Sequence, residues 1–486
     1  MVIKDKDLQS IQEVRNLIRS AKAAQRELEK RGREFIDKLV YQLSKAASNE
    51  AESLARMAAD ETGFGKWEDK LIKNKVASEN LYEYIKEMKT IGIINENKEK
   101  KIVEIGTPVG VIAGLIPSTN PTSTTIYKAL IALKSGNSII FSPHPSAINC
   151  ILKTVEVLNK EALRFGAPEG LISCMSLPTL EGTDELMKHD DVSLILATGG
   201  SGMVKAAYSS GTPALGVGPG NVPAFIERSA DIGLAVKMIL ASKTFDNGTV
   251  CASEQAIVTE NCIADYVKNE LRNQGGYFLT GEEIDKVVKI MERPNGSMNP
   301  KIVGKSAQDI ANMAGITIPK GTKVLVCEEK GVGKNYPFSK EKLTQLLAFY
   351  SVENWSEACD LCFALLKNGG IGHTLAIHSR DEEIIKEFAL RKPVSRFLVN
   401  TPSTQGAIGL STNLAPALTL GCGAVGGSAT SDNVDPRHLI NIRRMAYGVN
   451  DLGLESKAKN GSSINDIKNV DIETICKIVM EQLKQC

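Results

Sequence analysis

Three features of the 486-residue sequence point to a doubly wound α/β protein. After Pro108, short β-rich runs alternate with helical segments, and those runs are almost continuously apolar. The first ninety residues, by contrast, read as amphipathic helix. Apolar strands separated by helices are what a parallel sheet covered on both faces requires.

The elements follow in order. From Leu8 to Leu43 apolar residues recur at three and four, as in Ile11, Val14, Leu17 and Ile18, with charges between them. Such helices carry one apolar stripe and cover something else. IGIINENKEKKIVEI (91–105) has β-rich ends around a polar centre and is expected to form a hairpin. Strands are then expected at VGVIAGLI (109–116), SIIFSP (138–143), LISCMSL (171–177), VSLILATGG (192–200) and ALGVGP (214–219). Helices fill 122–134, 146–165, 183–189 and 202–209. A second α/β region runs from about Ile232 to Gly423, with strands at 254–260, 323–329, 346–352, 373–379 and 396–402.

Residues 403–435 are rich in Gly, Ser, Thr and Pro and read as loops, and ESKAKNGSS (455–463) reads as a flexible linker. Beyond it, Ile472, Ile475, Ile478, Val479 and Leu483 share one helical stripe. This last segment is either a docking peptide or a terminal helix folded back onto its own domain.

Composition narrows the function. With 58 Lys+Arg against 57 Asp+Glu the net charge is +1, which gives no global electrostatic case for nucleic acid. No apolar run approaches the roughly 20 residues needed to span a bilayer, and MVIKDKDLQS is not expected to be a secretory signal. The ten cysteines are too sparse for a disulfide scaffold and fit a reducing cytosol. Cys359 and Cys362 form C-x-x-C inside a helical pattern and are expected to be packing residues. The five histidines form no metal-ligand pattern, so no metal is expected.

Several segments are able to carry chemistry. FDNGTVCASEQ (245–255) sets Cys251 after a Gly-containing loop and before a strand. A thiolate there is a good nucleophile, and neighbouring backbone N–H groups stabilise an adjacent oxyanion. The alternative is a buried small hydrophobe, and no histidine nearby in sequence favours the nucleophile. Asn120, in the Ser-Thr-Asn-Pro at 118–121, follows a strand end, where ligands bind in open α/β sheets. It either donates to an oxyanion or shapes a turn. ATGGSG (197–202) lets backbone N–H groups approach a pyrophosphate, although it matches neither standard phosphate fingerprint. GVGPGN (216–221) reads as a turn, because Pro219 removes a donor.

Taken together, PSTNPT (117–122), SPHPSA (142–147), GVGPGNVPAFI (216–226), KTFDNGTVCASEQ (243–255), PFSKEKL (337–343), GGIGHT (369–374) and SDNVDPRHLINIRR (431–444) resemble the aldehyde dehydrogenase superfamily. The likeness is to its CoA-acylating branch, which includes the propionaldehyde and acetaldehyde dehydrogenases of bacterial microcompartments, and it covers roughly residues 8–450.

The resemblance implies Cys251 as nucleophile and Asn120 as oxyanion donor. It also implies NAD as cofactor and coenzyme A as cosubstrate, with a short-chain aldehyde oxidised through a Cys251 thioester. It places Glu341 near the nicotinamide ribose and Thr198 and Gly199 beside the pyrophosphate. Pro117, Ser118 and His144 complete the implied cofactor contacts. Hydrolytic members carry a glutamate base where this sequence has Gly216, so the likeness favours attack by a thiol over attack by water. The alternatives are a hydrolytic enzyme with another base, or a silent assembly protein.

The implied domains are an NAD-binding domain (1–90 and 110–242), a catalytic domain (243–430) and an oligomerisation flap (91–109 and 431–450), in a homodimer or homotetramer. A linker (451–466) and a C-terminal docking helix (467–486) would follow, the helix addressing microcompartment shell or cargo proteins in the bacterial cytoplasm.

Overall fold

The computed structural model describes residues 4–294 and 297–450, and Lys477 alone beyond them. The expected linker and C-terminal docking helix therefore lie outside the described residues. The chain divides into two units, one whose described residues are 4–95, 104–294 and 297–443 and a small one whose described residues are 96–103 and 444–450, with Lys477.

Helices occupy the N-terminal region as expected. The first, Lys6–Asn49, starts on an Asp5 cap that accepts two backbone N–H groups, and it breaks its helical geometry at Gly32, where φ is +74°. Helices Ala51–Thr62 and Trp67–Lys75 follow, the latter running through a π-helical turn, Val76–Asn80, into Leu81–Ile85.

The strands are β1 (Gly92–Asn97), β2 (Ile102–Pro108), β3 (Val111–Ile116), β4 (Ser138–Pro143), β5 (Ile172–Cys174), β6 (Val192–Thr198), β7 (Ala214–Val217), β8 (Val222–Ile226), β9 (Glu254–Glu260), β10 (Gly276–Phe278), β11 (Val324–Glu328), β12 (Leu346–Val352), β13 (Gly372–His378), β14 (Val394–Val399) and β15 (Ile440–Ala446). They form three sheets. One is parallel, of order β5-β4-β3-β6-β7; a second is parallel, of order β10-β11-β12-β9-β8-β13-β14; the third is β1-β2-β15.

Two details differ from expectation. The strand expected at 171–177 shrinks to three residues, because Ser176 and Leu177 turn away to donate their backbone N–H groups to Glu13. More important, β8 pairs with β9 and β13. The chain thus changes sheets between Val217 and Val222, upstream of the boundary expected at 242/243. Pro219 and the glycines around it leave the 218–221 segment without strand geometry, and that break lets the chain cross over.

In the five-stranded sheet β3 lies between β4 and β6, so the chain leaves β3 toward one side and returns on the other. A crevice opens beyond the carboxyl ends of strands at such a point. The helix Pro121–Lys134 leaves β3 and is buried along its whole length. Its Lys128 donates from Nζ to the carbonyls of Leu115 and Leu196, 2.8 Å each, bracing the ends of β3 and β6. Cys359 and Cys362 are buried on the helix Trp355–Lys367 as packing residues.

Candidate active site

Beyond the ends of β3 and β6 lies a cavity of about 370 Å³. All eight residues singled out from sequence line it: Pro117, Ser118, Asn120, His144, Thr198, Gly199, Cys251 and Glu341. They come from five separate chain segments, that of Glu341 lying between β11 and β12. Pro117 to Asn120 continue from β3, His144 follows β4, and Thr198 and Gly199 end β6. Cys251 arrives on the loop before β9 in the other parallel sheet. The site therefore lies where two sheets present loops to each other, which a linear reading does not display.

Cys251 follows a 3₁₀ turn, Phe245–Gly248, in which Asp246 and Asn247 adopt left-handed φ of +48° and +53°. Strained backbone of this kind persists where surrounding contacts over-determine it. The Cys251 thiol is half-buried, and desolvation, with the nearby Glu341 carboxylate, pushes its pKa up to about 12. At neutral pH it is a thiol and needs a base.

The base candidate is one that the linear sequence hid. His373, at the start of β13, sets Nε2 3.2 Å from Cys251 Sγ. Its Nδ1 lies 2.9 Å from Thr374 Oγ1, which in turn accepts from Arg396 Nε at 3.2 Å. Thr374 and Arg396 are register partners across β13 and β14, so sheet pairing aligns this chain of contacts. With Nδ1–H donating to Thr374, Nε2 is free to accept the thiol proton. Burial first, then the Arg396 charge, holds the His373 pKa well below its ordinary value, so the imidazole rests neutral. The sequence signal that marks it is GGIGHT (369–374), whose histidine received no role from sequence.

Asn120 is the N-cap residue of the helix Pro121–Lys134, yet its side chain makes no capping bond. Its Oδ1 accepts instead from Lys73 Nζ at 2.5 Å, and its Nδ2 donates to Thr119 Oγ1 at 3.1 Å, leaving one amide N–H uncommitted. Glu341 accepts the Gly220 N–H at 2.9 Å, and burial raises its pKa to about 7.

On the cofactor side, the helix Ser201–Ser209 begins at Gly200 with no side-chain cap, and added Cβ atoms at Gly200 or Gly218 would meet nothing within 4 Å. Open space over uncapped helix N–H groups fits a dinucleotide pyrophosphate. Gly216, which stands where hydrolytic members carry their glutamate, does not line the cavity, and a Cβ there would stand 2.8 Å from the Tyr208 ring and 2.9 Å from Val204. Tyr208 exchanges hydrogen bonds with the Gly216 backbone, so the position is closed to a carboxylate by packing as well as by sequence. Among the described residues no group of three or more His, Cys, Asp or Glu is placed to hold a metal ion.

Residues 2–339 match the model of the aldehyde dehydrogenase family. The chain belongs to that family. The bifunctional aldehyde-alcohol dehydrogenase AdhE of Escherichia coli K12 is 43% identical over 442 residues, 90% of this chain and 50% of that one. The chain thus spans about half the length of that curated relative. Among solved structures, an acetylating aldehyde dehydrogenase from Geobacillus thermoglucosidasius matches with a TM-score of 0.91 and 55% identity, over 93% of this chain and 99% of that one. The propionaldehyde dehydrogenase of Rhodopseudomonas palustris with bound propionyl-CoA matches at 0.81 and 28%, over 89% and 94%. The sheets and loops described above are therefore those of an aldehyde dehydrogenase fold.

Proposed function

We propose that this aldehyde dehydrogenase is of the CoA-acylating kind, converting a short-chain aldehyde such as propionaldehyde to its acyl-CoA with NAD and coenzyme A, reversibly. The observation that carries the reading is the pairing of the cavity-lining Cys251 thiol with neutral His373, together with a glycine at position 216 in place of a carboxylate. A coenzyme A thiol is more acidic and more nucleophilic than water and needs less help from a base.

In this reading His373 Nε2 takes the Cys251 proton while the sulfur attacks the aldehyde carbon. The carbonyl oxygen becomes an oxyanion received by the free Asn120 amide N–H and the backbone N–H of Cys251. Bound NAD supplies hydride acceptance, with Thr198, Gly199, Pro117, Ser118 and His144 holding its pyrophosphate and ribose side and Glu341 its nicotinamide ribose. The imidazolium releases its proton to solvent, the one proton set free overall. His373 then takes the thiol proton of coenzyme A as that sulfur attacks the Cys251 thioester, and returns it to the departing cysteine.

The same reading assigns cofactor binding to the β3–β7 sheet and catalysis to the β8–β14 sheet. It assigns oligomerisation, as a homodimer or homotetramer, to the flap strands, where Ile442, Met445 and Tyr447 are exposed. The amphipathic pattern at 467–486 supports docking to microcompartment shell or cargo proteins in the bacterial cytoplasm.

The test is NADH formation from NAD and propionaldehyde with and without coenzyme A, the product identified by mass. Coenzyme A-dependent propionyl-CoA is expected. Propionate formed equally fast without coenzyme A overturns the reading in favour of hydrolysis, and no turnover on a panel of short aldehydes favours a silent assembly protein.

A further inference from the structure

Behind the cavity lies a buried ionic cluster that none of the roles above uses. Asp246, five residues before Cys251, has no exposed surface. Its Oδ2 receives Lys70 Nζ at 3.0 Å, Lys73 Nζ, and Thr249 Oγ1 at 2.8 Å, and its Oδ1 receives the Lys66 backbone N–H at 2.7 Å. The Asp246 backbone N–H in turn donates to Asp69 Oδ2 at 2.8 Å. The helix Trp67–Lys75 is thereby pinned to the Cys251 loop from several directions. The approach is so close that a Cβ on Gly65 would stand 1.8 Å from Asp246 Oδ1.

The same two lysines reach the other side of the site. Lys70 Nζ donates to the Thr119 carbonyl at 3.2 Å and Lys73 Nζ to Asn120 Oδ1 at 2.5 Å. An ammonium has three donors and no acceptor, so only the oxygen of the Asn120 amide is able to face it. An asparagine at a helix N-cap ordinarily turns that oxygen inward to accept a backbone N–H, and here it does not. Lys73 therefore selects one of two amide orientations, and the selected one leaves an N–H toward the cavity. In the reverse orientation the carbonyl oxygen would face a developing oxyanion and repel it.

We propose that Lys73, anchored by Asp246, is a positioning residue for oxyanion stabilisation, fixing the Asn120 amide with its donor toward the substrate and tying Asn120 to the loop that carries Cys251. The inference rests on the roles given to Cys251 and Asn120 under the proposed function.

The experiment is a double-mutant cycle on the full-length enzyme, measuring kcat/KM for propionaldehyde with saturating NAD and coenzyme A. Lys73→Met is expected to lower kcat/KM about a hundredfold, near the loss from deleting one oxyanion donor, with the effect in kcat rather than in the KM for NAD. In an Asn120→Ala background the same substitution is expected to cost less than about fivefold, because residues that act as a unit lose little twice. Lys73→Gln keeps a donor for Asn120 Oδ1 and is expected to recover at least about tenfold over Lys73→Met, which also serves if the methionine variant does not fold. Equal losses in the two backgrounds, or no recovery with glutamine, overturn the inference. If Asn120→Ala alone leaves kcat/KM unchanged in an active enzyme, the oxyanion role itself fails, and that outcome is read separately.

Discussion

His373 Nε2 stands 3.2 Å from Cys251 Sγ, although 122 residues separate the two in sequence. His373 lies at the start of β13 and Cys251 on the loop leading into β9 of the same sheet, so their meeting is set by the β8-β9 and β8-β13 pairings. A positioned general base contributes about 10²–10⁴ in rate. His373→Ala is accordingly expected to lower kcat by about that factor while leaving NAD binding, followed by fluorescence titration, near that of the unmodified protein. A loss below about fivefold would remove His373 from the proton path.

The resting protonation state has its own signature. Desolvation pushes Cys251 to about 12, and burial with the Arg396 charge depresses His373, so the pair rests as thiol and imidazole rather than thiolate and imidazolium. For an acid whose pKa is raised, the thiolate fraction at a given pH falls, and it grows tenfold for each pH unit below the pKa. Alkylation of Cys251 by iodoacetamide, quantified on its own peptide by mass spectrometry, should therefore climb with unit slope from pH 6 through pH 9. A plateau near neutral pH would reveal a pre-formed ion pair.

Gly216 offers a test that separates packing from chemistry. A Cβ at this position meets the Tyr208 ring and Val204 at under 3 Å. Overpacking of this kind typically costs about 1–3 kcal/mol, so Gly216→Ala should lower the unfolding free energy by about that amount, read by denaturant melts. Gly216→Glu should lower it further without creating coenzyme A-independent carboxylate formation, because the side chain meets the helix Ser201–Ser209 instead of the cavity. Hydrolytic turnover in that variant would show that the helix gives way.

Much of this site was legible before any coordinates. Strand ends followed by polar or glycine-rich turns placed Asn120, Thr198 and Gly199 at a crevice, since period and punctuation are local signals. The loop before a strand also marked Cys251 as a candidate nucleophile, resemblance settled its implied role and added Glu341, Pro117, Ser118 and His144, and all eight line one cavity. What escaped was non-local. β8 is a five-residue strand between a proline-broken turn and a helix, and only its pairing reveals which sheet it joins. Lys70 and Lys73 sit on an otherwise ordinary charged helix, reading WEDKLIKNK, in which nothing distinguishes a buried lysine from a solvated one. Their burial follows from Asp246, some 170 residues away, as the catalytic pairing of His373 follows from β13.

Asp246 is expected to be a large single contributor to stability. Burial alone would raise its pKa, but Lys73 and Lys70 outweigh that and hold it below the ordinary carboxylate value. Removing one member of a buried ion cluster leaves charge without a partner, at a cost of about 3–5 kcal/mol. Asp246→Ala should therefore destabilise by about that much at pH 7, and Asp246→Asn, which loses the charge but keeps the shape, by somewhat less. The sign of the pH dependence follows from the lowered pKa. A carboxylate depressed on folding contributes stability that is present above its unfolded pKa, near 3.9, and is lost as pH falls through the folded value. The Tm gap between the unmodified protein and Asp246→Asn should hence stay constant from about pH 7, where Lys73 is still charged, to about pH 5 and narrow below about pH 4. A gap that already narrows between pH 7 and pH 5 would mean that the carboxylate is not held down by the two lysines.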